Sequence, residues 1–449
     1  MTGTEIFDKA KKIMFENMIK GECKDGVKKF HYTKPSPGRY PYQFFWDTCF
    51  HVFILSALGE YGMAKEHLVS LFALQEDDGF VGHMIYWDRL IPGRATDIFQ
   101  SKPNLKNFYR SHMTALIQPP IVAQAVKRVC ELDEDVDFLK AFVPKLKKYY
   151  DWLANNRDFD GDGLLTIISP FESGMDWKPT YDVALGLKER NADWRLFLKV
   201  IGVDVKNYVS NYNHKKIREK GNFIVKDVGF NTIYADSLKA LSSLCGVIND
   251  KDGDKYNLRS QRVTKSILDV MYDFETSAFY DTYGSEVRKI KVLTPTIFYP
   301  VILEGIPDAV TKSVIERHLI NSKEFKTPYP LPSVSIDHPS FNPTESMYLW
   351  RGPTWIINNW FIHQFLLQKG YDQYCEMLIE SIRKLIAKSG FREYYDPFTG
   401  EGYGAKDFTW SCLVVDMIRT RNDLLSSRSS KSLKQKVTFN KKATFNKYE

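Results

Sequence analysis

The feature that most constrains this chain is an apolar spacing of three and four residues that recurs from the N-terminal region to about residue 420. Phe138, Phe142 and Leu146 show the pattern, which places apolar side chains on one face of an α-helix. Strand signals are few and short, at residues 223–225 and 390–394. The sequence therefore predicts an all-α protein.

The predicted helices are about 12–20 residues long and are joined by loops rich in aromatic residues and glycine. They fall at residues 64–73, 115–132, 136–155, 194–203, 231–245, 256–272, 309–319, 354–367, 372–388 and 407–420. Helices arranged mostly as hairpins favour an (α/α)6 toroid, with an active site built from loops at one end. A superhelical array is the alternative, although no repeat of fixed period occurs. Residues 1–424 are predicted to form one catalytic domain, and residues 425–449 a basic, disordered tail.

The charge distribution limits the possible binding partners, and the cysteine pattern indicates the cellular location. The net charge is +7, and seven Lys or Arg against one acid follow Leu425, so the body is nearly neutral. We see no basic stripe of the kind that binds nucleic acid and no apolar window long enough to span a membrane. The six cysteines are dispersed, which favours free thiols in a cytoplasmic protein. We expect no metal and no cofactor, and a homo-oligomer is left open.

Three stretches combine carboxylates with aromatic residues near glycine or proline, at residues 42–51, 171–179 and 350–402. Cleavage of a glycosidic bond requires one carboxylic acid at the leaving oxygen and one further carboxylate. Asp176 lies beside Trp177, and apolar surroundings raise a carboxyl pKa as a general acid requires. Aromatic rings also supply faces on which sugars stack. On this composition alone, a cap or turn role for each carboxylate is the usual alternative.

Five motifs, taken in order, resemble glycoside hydrolase family 63, within the group that includes the trehalases. They are FFWDTCFH, QPPIVA, ESGMD, WRGPTWIINNW and REYYDPFTGEGYGAKDFTWS, and they lie between residues 42 and 411. The closer resemblance is to compact members that act on mannosylglycerate and glucosylglycerate. It implies inverting hydrolysis of a small α-linked glucoside or mannoside. A disaccharide or oligosaccharide end is the alternative substrate, and a non-catalytic carbohydrate-binding toroid is the alternative of another class.

The resemblance implies that Asp176 is the general acid and Glu393 the general base, with Glu401 as the rival for the base. The inverting scheme places the two carboxyl groups roughly 6.5–9.5 Å apart. Asp47 has an alternative role as the N-cap of a helix that begins at Thr48, and Arg351 an alternative role in a structural ion pair. The substrate-binding residues that the resemblance implies are Tyr42, Trp46, Asp47, Trp87, Gln118, Trp177, Trp350, Arg351, Trp355, Glu401 and Trp410.

The chain departs from the family pattern after the acid loop, where only about fifteen residues separate Pro179 from Trp194. The resemblance leads us to expect a longer segment that closes the aglycone side. A glycerate carboxylate favours an arginine that binds it in a bidentate fashion. Arg190 and Arg195 are the nearest candidates, with solvated helix charges as their alternative. The departure leaves the aglycone open and does not affect the two carboxylates.

Overall fold

The computed structural model describes residues 3–23, 28–87, 98–101, 112–188, 192–221 and 223–428. Helices dominate this part of the chain. They are α1 Gly3–Glu16, α2 Phe45–Ala57, α3 Tyr61–Leu71, α4 Val122–Asp133, α5 Val136–Arg157, α6 Thr180–Ala184, α7 Trp194–Val209, α8 His214–Lys220, α9 Val228–Val247, α10 Gly253–Ser266, α11 Asp308–Val314, α12 Ile356–Gln368, α13 Asp372–Ser389 and α14 at residues 414–428. Short 3₁₀ helices cover Pro170–Ser173, Pro295–Ile302 and Thr409–Leu413, and π-helical turns extend α10 (Ile267–Met271) and α11 (Ile315–Leu319).

The strands are short and form small antiparallel sheets that connect the helices. They are β1 Met18–Glu22, β2 Lys29–Thr33, β3 Gln43–Phe44, β4 Met84–Tyr86, β5 His112–Met113, β6 Val225–Lys226, β7 Tyr272–Asp273, β8 Ala278–Phe279, β9 Thr282–Tyr283, β10 Arg288–Lys289, β11 Arg392–Tyr395 and β12 Gly402–Lys406. The sheets pair β1 with β2, β7 with β8 and β11 with β12, and they order the rest as β3-β4-β5 and β10-β9-β6. Of the predicted site residues, Glu393 lies on β11, and Tyr42, Trp87 and Glu401 directly adjoin β3, β4 and β12.

Six segments of the described chain form a closed ring. In order they are α2, α4, α9, the 3₁₀ helix Pro295–Ile302, α12, and Thr409–Leu413 with α14. Each contacts the next, and the last contacts α2. An outer helix alternates with each of them along the chain, in the order α1, α3, α5, α10, α11 and α13. The fold is therefore the (α/α)6 toroid that the sequence predicts, because a superhelical array would leave its ends apart.

Two of the ring helices, α2 and α12, are covered on nearly all sides. Every residue of α2 is buried, and so are all residues of α12 from Ile356 to His363. The outer helix α13 instead buries one stripe, which includes Cys375, Leu378 and Ile382. The ring helix α4 is also amphipathic, with one buried face. Position in the ring therefore does not by itself determine how much of a helix is buried.

The helix predicted at residues 115–132 is wrong at its start. Helix α4 begins at Val122, because residues before Pro119 run extended along β4: Thr114 N donates to Met84 O (3.0 Å) and His83 N donates to Leu116 O (2.8 Å). The apolar residues of this stretch imitate a helical pattern although they fill a sheet edge. The suggestion that Asp47 caps a helix from Thr48 is also wrong, since α2 begins at Phe45.

No helix in the described ranges is long and apolar enough to cross a membrane. Residues 425–428 of the predicted tail continue α14, and residues 429–449 lie outside the described residues. The division of the chain at residue 424 stays a prediction.

Candidate active site

A cavity opens at the end of the ring where α2, α12 and the 3₁₀ helix Thr409–Leu413 begin. Eight of the predicted site residues line this inner compartment: Trp46, Asp47, Gln118, Asp176, Trp350, Trp355, Glu393 and Trp410. The other lining residues are Tyr40, Phe44, Gly174, Leu349 and Phe408. The eight predicted residues come from all five motifs, so the fold brings together the motifs that the sequence singled out.

Tryptophan side chains form one wall of the inner compartment. Trp350 stacks on Trp355 at a ring-centroid distance of 3.8 Å, and Trp46 meets Trp410 edge-on at 5.2 Å. Each ring is at most 6% exposed, so its packing fixes its position. Trp350 has φ of 68°, which costs a bulky residue about 1–3 kcal/mol and marks strain at a functional site. The wall is a rigid apolar surface of the kind on which a sugar ring stacks.

Asp47 supplies a polar group within this apolar wall. Its carboxylate accepts a hydrogen bond from Trp410 Nε1 at 2.7 Å, and the residue is 5% exposed. Burial raises the pKa of Asp47 to about 7, against the lowering effect of the Trp410 hydrogen bond. Near neutral pH this carboxyl group can therefore both accept hydrogen bonds from sugar hydroxyls and donate one to them.

Asp176 lies on a loop that is fixed on its N-terminal side by Glu172. Both residues of the Arg157–Glu172 ion pair are fully buried, and the guanidinium contacts both carboxylate oxygens at 2.7 and 2.5 Å. The same carboxylate accepts from Ile117 N (3.0 Å) and Ile168 N (2.8 Å). Such a buried, bidentate ion pair costs several kcal/mol to break. Glu172 thereby joins the acid loop to the extended segment before α4 and to the end of α5.

Lys178 fixes the C-terminal side of the same loop. Its buried ammonium bridges Asp227 and Asp281, the latter at 2.7 Å. Asp227 is the N-cap of ring helix α9, and its carboxylate accepts from Phe230 N at 2.8 Å. Asp281 accepts from Val228 N at 2.8 Å. Two buried ionic anchors on either side therefore hold the position of Asp176.

Glu393 lies on β11, buried to 2% exposure, and both of its carboxylate oxygens have donors. Tyr40 Oη donates to Oε1 at 2.7 Å, and Arg39 Nη1 (3.0 Å) and Ala405 N (2.8 Å) donate to Oε2. Gly404 lets β12 approach, because a Cβ there would lie 2.4 Å from Oε2. Burial, followed by the charge of Glu393, raises the pKa of Tyr40 well above its ordinary value, so Tyr40 stays a donor.

Sequence reasoning missed Arg39 and Tyr40. They precede the FFWD motif in Gly38-Arg39-Tyr40-Pro41, a run with turn character and no carboxylate, so nothing in their pattern indicates contact with a residue some 350 positions away. Only the closure of the ring, which packs α2 against the C-terminal segment, brings them to Glu393.

A second, outer compartment adjoins the first. Tyr40, Phe44, Gln118, Asp176 and Leu349 line both. The outer compartment has two of the predicted residues that the inner one lacks, Tyr42 and Trp177. It is further lined by Arg39, Pro41, His83, Met84, Gln100, Phe171, Phe197, Ile201 and Met347. Asp176 therefore lies at the junction of the compartments, whereas Glu393 lines the inner one.

Four of the predicted site residues that the structure describes lie outside both compartments: Trp87, Arg351, Glu401 and Arg195. Trp87 stacks on Phe30 at 5.0 Å and donates to Gln43. Arg351 forms a buried bidentate pair with Asp182 at 2.9 and 2.5 Å, which matches its structural alternative. The exposed Glu401 accepts a long contact, 3.4 Å, from Tyr403 Oη.

The two arginines predicted to bind the aglycone, Arg190 and Arg195, are not among the described residues that line either compartment. Arg195 lies on α7 with 53% of its side chain exposed, next to Asp193. Arg190 lies outside the described residues. No group of three or more His, Cys, Asp or Glu side chains that could hold a metal ion occurs within the described ranges.

Comparison with known proteins adds to this geometry. Residues 40–411 match the model of the mannosylglycerate hydrolase MGH1-like glycoside hydrolase domain. The chain belongs to this family. A mannosylglycerate hydrolase of Thermus thermophilus is 29% identical over 417 residues, which cover 86% of this chain and 95% of the relative. A glucosylglycerate hydrolase of Mycolicibacterium hassiacum is 24% identical, over 85% of this chain and 93% of the relative.

The fold agrees with a solved structure of the same family. The crystal structure of a GH63 mannosylglycerate hydrolase from Thermus thermophilus with Tris superimposes with a TM-score of 0.77 at 25% sequence identity. It covers 92% of this chain and 99% of that protein. The matched residues include both compartments almost in full, with only Arg39 preceding them. The chain is a glycoside hydrolase.

Proposed function

We propose that this glycoside hydrolase cleaves an α-linked mannoside or glucoside of glycerate with inversion at the anomeric carbon. The sugar occupies the inner compartment and the aglycone the outer one. The observation that carries the proposal is the position of Asp176, which lines both compartments at their junction. A glycosidic oxygen between two such compartments lies beside that carboxyl group. The glycerate glycosides follow from the names of the related enzymes.

The reaction requires one water molecule and two proton transfers. Asp176 donates a proton to the glycosidic oxygen as its bond to the anomeric carbon breaks. Water attacks the same carbon from the opposite face and gives its proton to Glu393. The donors from Tyr40, Arg39 and Ala405 hold Glu393 in one orientation, as a base requires. The products are a free sugar with inverted configuration and glycerate.

Substrate binding in the inner compartment relies on the tryptophan wall and Asp47. A hexose ring stacks on apolar faces, and its hydroxyl groups need buried polar partners. Asp47 and Gln118 supply them. The amide oxygen of Gln118 accepts a hydrogen bond from Trp46 N at 3.1 Å, and this bond fixes the orientation of the Gln118 NH₂ group. The assignment of these residues to the sugar is part of the proposal.

A neutral disaccharide is the second candidate substrate. Tyr42, Trp177 and Phe197 line the outer compartment, and such aromatic faces suit a second sugar ring as well as a small acid. A panel that contains glucosylglycerate, mannosylglycerate, kojibiose and trehalose separates the two candidates. The proposal predicts that a glycerate glycoside has the highest kcat/KM. Turnover of the disaccharides alone would refute the substrate and keep the enzyme class.

The roles of the two carboxylates are tested by substitution. Asp176→Asn and Glu393→Gln should each lower kcat about 100- to 10,000-fold, because each removes a proton transfer of the transition state. Glu401→Gln is the matched control, since Glu401 is exposed and outside both compartments. If Glu401→Gln is inactive and Glu393→Gln active, the base is assigned wrongly. Far-UV circular dichroism of each variant verifies the fold.

We also infer a cytoplasmic location, because all six cysteines are free thiols and a reducing compartment keeps them so. The cavity residues all precede residue 424, so we propose that residues 1–424 form the catalytic unit. A chain ending at residue 428 should therefore keep wild-type kcat/KM. Whether the protein forms a homo-oligomer stays a prediction for sedimentation measurements.

A further inference from the structure

Arg39 belongs to both parts of the active site. Its Nη1 donates to Glu393 Oε2 at 3.0 Å in the interior, yet 40% of its side chain is exposed and it lines the outer compartment. A guanidinium carries five N–H donors in a planar fork, so it can contact two carboxylates at once. The contact with Glu393 therefore does not prevent Arg39 from meeting a ligand.

The charges around the outer compartment single out this residue. Among its described lining residues, Arg39 is the one with a permanent positive charge. His83 is the other basic side chain there, and burial lowers its pKa to about 3, so it is neutral. A carboxylate that binds there loses part of its hydration, so it needs a cation beside it to compensate for that loss.

We propose that Arg39 binds the carboxylate of an acidic aglycone and thereby makes the enzyme select glycosides of small hydroxy acids over neutral glycosides. The inference rests on the proposed function and adds to it the residue that recognises the carboxylate of the aglycone. Arg39 replaces Arg190 and Arg195 in this role. Because the same guanidinium holds Glu393, binding of the acid and orientation of the base depend on one side chain.

Tyr40 provides a matched comparison. It donates to the other oxygen of Glu393 at 2.7 Å and is neutral, so it supports the base without any charge for a substrate acid. Tyr40→Phe and Arg39→Gln each remove one donor from Glu393. Only Arg39→Gln also removes a positive charge from the outer compartment. A difference between the two variants in substrate selection therefore isolates the contact with the aglycone.

The test compares glucosylglycerate with glucosylglycerol, in which a CH₂OH group replaces the carboxylate at the same linkage. The wild-type enzyme should favour the acid. Arg39→Gln should reduce that preference in kcat/KM roughly 10- to 100-fold, the value of a hydrogen bond to a charged group. Tyr40→Phe should lower kcat/KM for both glycosides by the same factor. Arg39→Lys, which keeps the charge, should recover part of the preference.

Several results would overturn the inference. One is an equal loss of both activities in Arg39→Gln, which would limit Arg39 to holding Glu393. Another is loss of the preference in Arg190→Gln or Arg195→Gln with Arg39→Gln unchanged. If the wild-type enzyme hydrolyses neither compound but does hydrolyse another glycoside, the proposed substrate fails, and the following binding measurement still tests Arg39.

That measurement uses titration calorimetry with D-glycerate and glycerol on Asp176→Asn, with and without Arg39→Gln. The inference predicts that D-glycerate binds Asp176→Asn more tightly than glycerol does, and that Arg39→Gln removes the difference. D-glycerate binding unchanged by Arg39→Gln would contradict it. Thermal unfolding of each variant shows that the comparison concerns folded protein.

Discussion

Gly174 lies two residues before Asp176, and we predict that Gly174→Ala damages both stability and activity. An alanine Cβ there would lie 2.2 Å from Cζ2 of Trp46 and 2.6 Å from two further ring atoms. Carbon atoms in ordinary contact are about 3.5 Å apart, so the loop and the ring must separate by about 1 Å. Trp46 is 1% exposed, packs on Phe50 and Trp410 and lines the inner compartment, so moving its ring disturbs the sugar wall.

The loss of stability in Gly174→Ala has two parts. Gly174 has φ of 70°, a left-handed conformation that costs an alanine about 1–2 kcal/mol. Overpacking in a filled interior adds about 1–3 kcal/mol. We therefore expect the free energy of unfolding to fall by about 2–5 kcal/mol. A shift of about 1 Å between the acid loop and the sugar wall should lower kcat/KM about 100-fold.

Gly186→Ala is the matched control. Gly186 has the same φ of 70°, but nothing lies within 4 Å of an added Cβ. It should lose only the backbone part, about 1–2 kcal/mol, and keep its activity. Urea unfolding and kcat/KM are measured on both variants. Equal activity in the two, with both near the wild type, would refute the claim that the close approach of Gly174 to Trp46 positions Asp176.

Two further predictions concern carboxylates, one on the buried Glu172 and one on the half-buried Asp236. Glu172→Gln leaves Arg157 as a buried, uncompensated charge, so the free energy of unfolding should fall by about 3–5 kcal/mol; a loss below 1 kcal/mol in urea unfolding would contradict the anchoring of the acid loop. Burial raises the pKa of Asp236 from 3.8 to about 6, so the folded state holds this proton more tightly than the unfolded state and stability is lost as the pH rises from about 4 to 6. The free energy of unfolding of Asp236→Asn should therefore rise by about 1–3 kcal/mol relative to the wild type between pH 4 and pH 7; a gain that shrinks with rising pH would refute the reasoning.

Much of the toroid can be predicted from the sequence because amphipathic outer helices show their period directly. The segment predicted at residues 372–388 corresponds to α13, and that at 136–155 to α5. Helix α2 entered the sequence analysis only as the alternative helix that begins at Thr48, whereas α12, which is equally buried, was predicted at residues 354–367. The extended stretch before Pro119 imitated a helix, since its apolar residues fill a sheet edge.

Some residues of the candidate site could be predicted from the sequence and others could not. Asp176 and Glu393 were predicted from the family resemblance of the motifs that contain them, and both line the inner compartment. Arg39 was missed because its importance comes from a contact that exists only after the ring closes. Arg351 lies within a motif and yet pairs with Asp182, since a motif also contains the residues that hold its own loop in place. Local pattern indicates chemistry, and long-range packing decides which groups meet.

The central claim is that Asp176 protonates the glycosidic oxygen while Glu393 activates one water molecule, in a single displacement. Proton NMR of the anomeric signals during hydrolysis of glucosylglycerate or mannosylglycerate, recorded before mutarotation equilibrates the products, tests it most directly. Inversion predicts that the β-anomer of the free sugar accumulates first. Initial accumulation of the α-anomer would show retention and would contradict the assignment of Glu393 as a base.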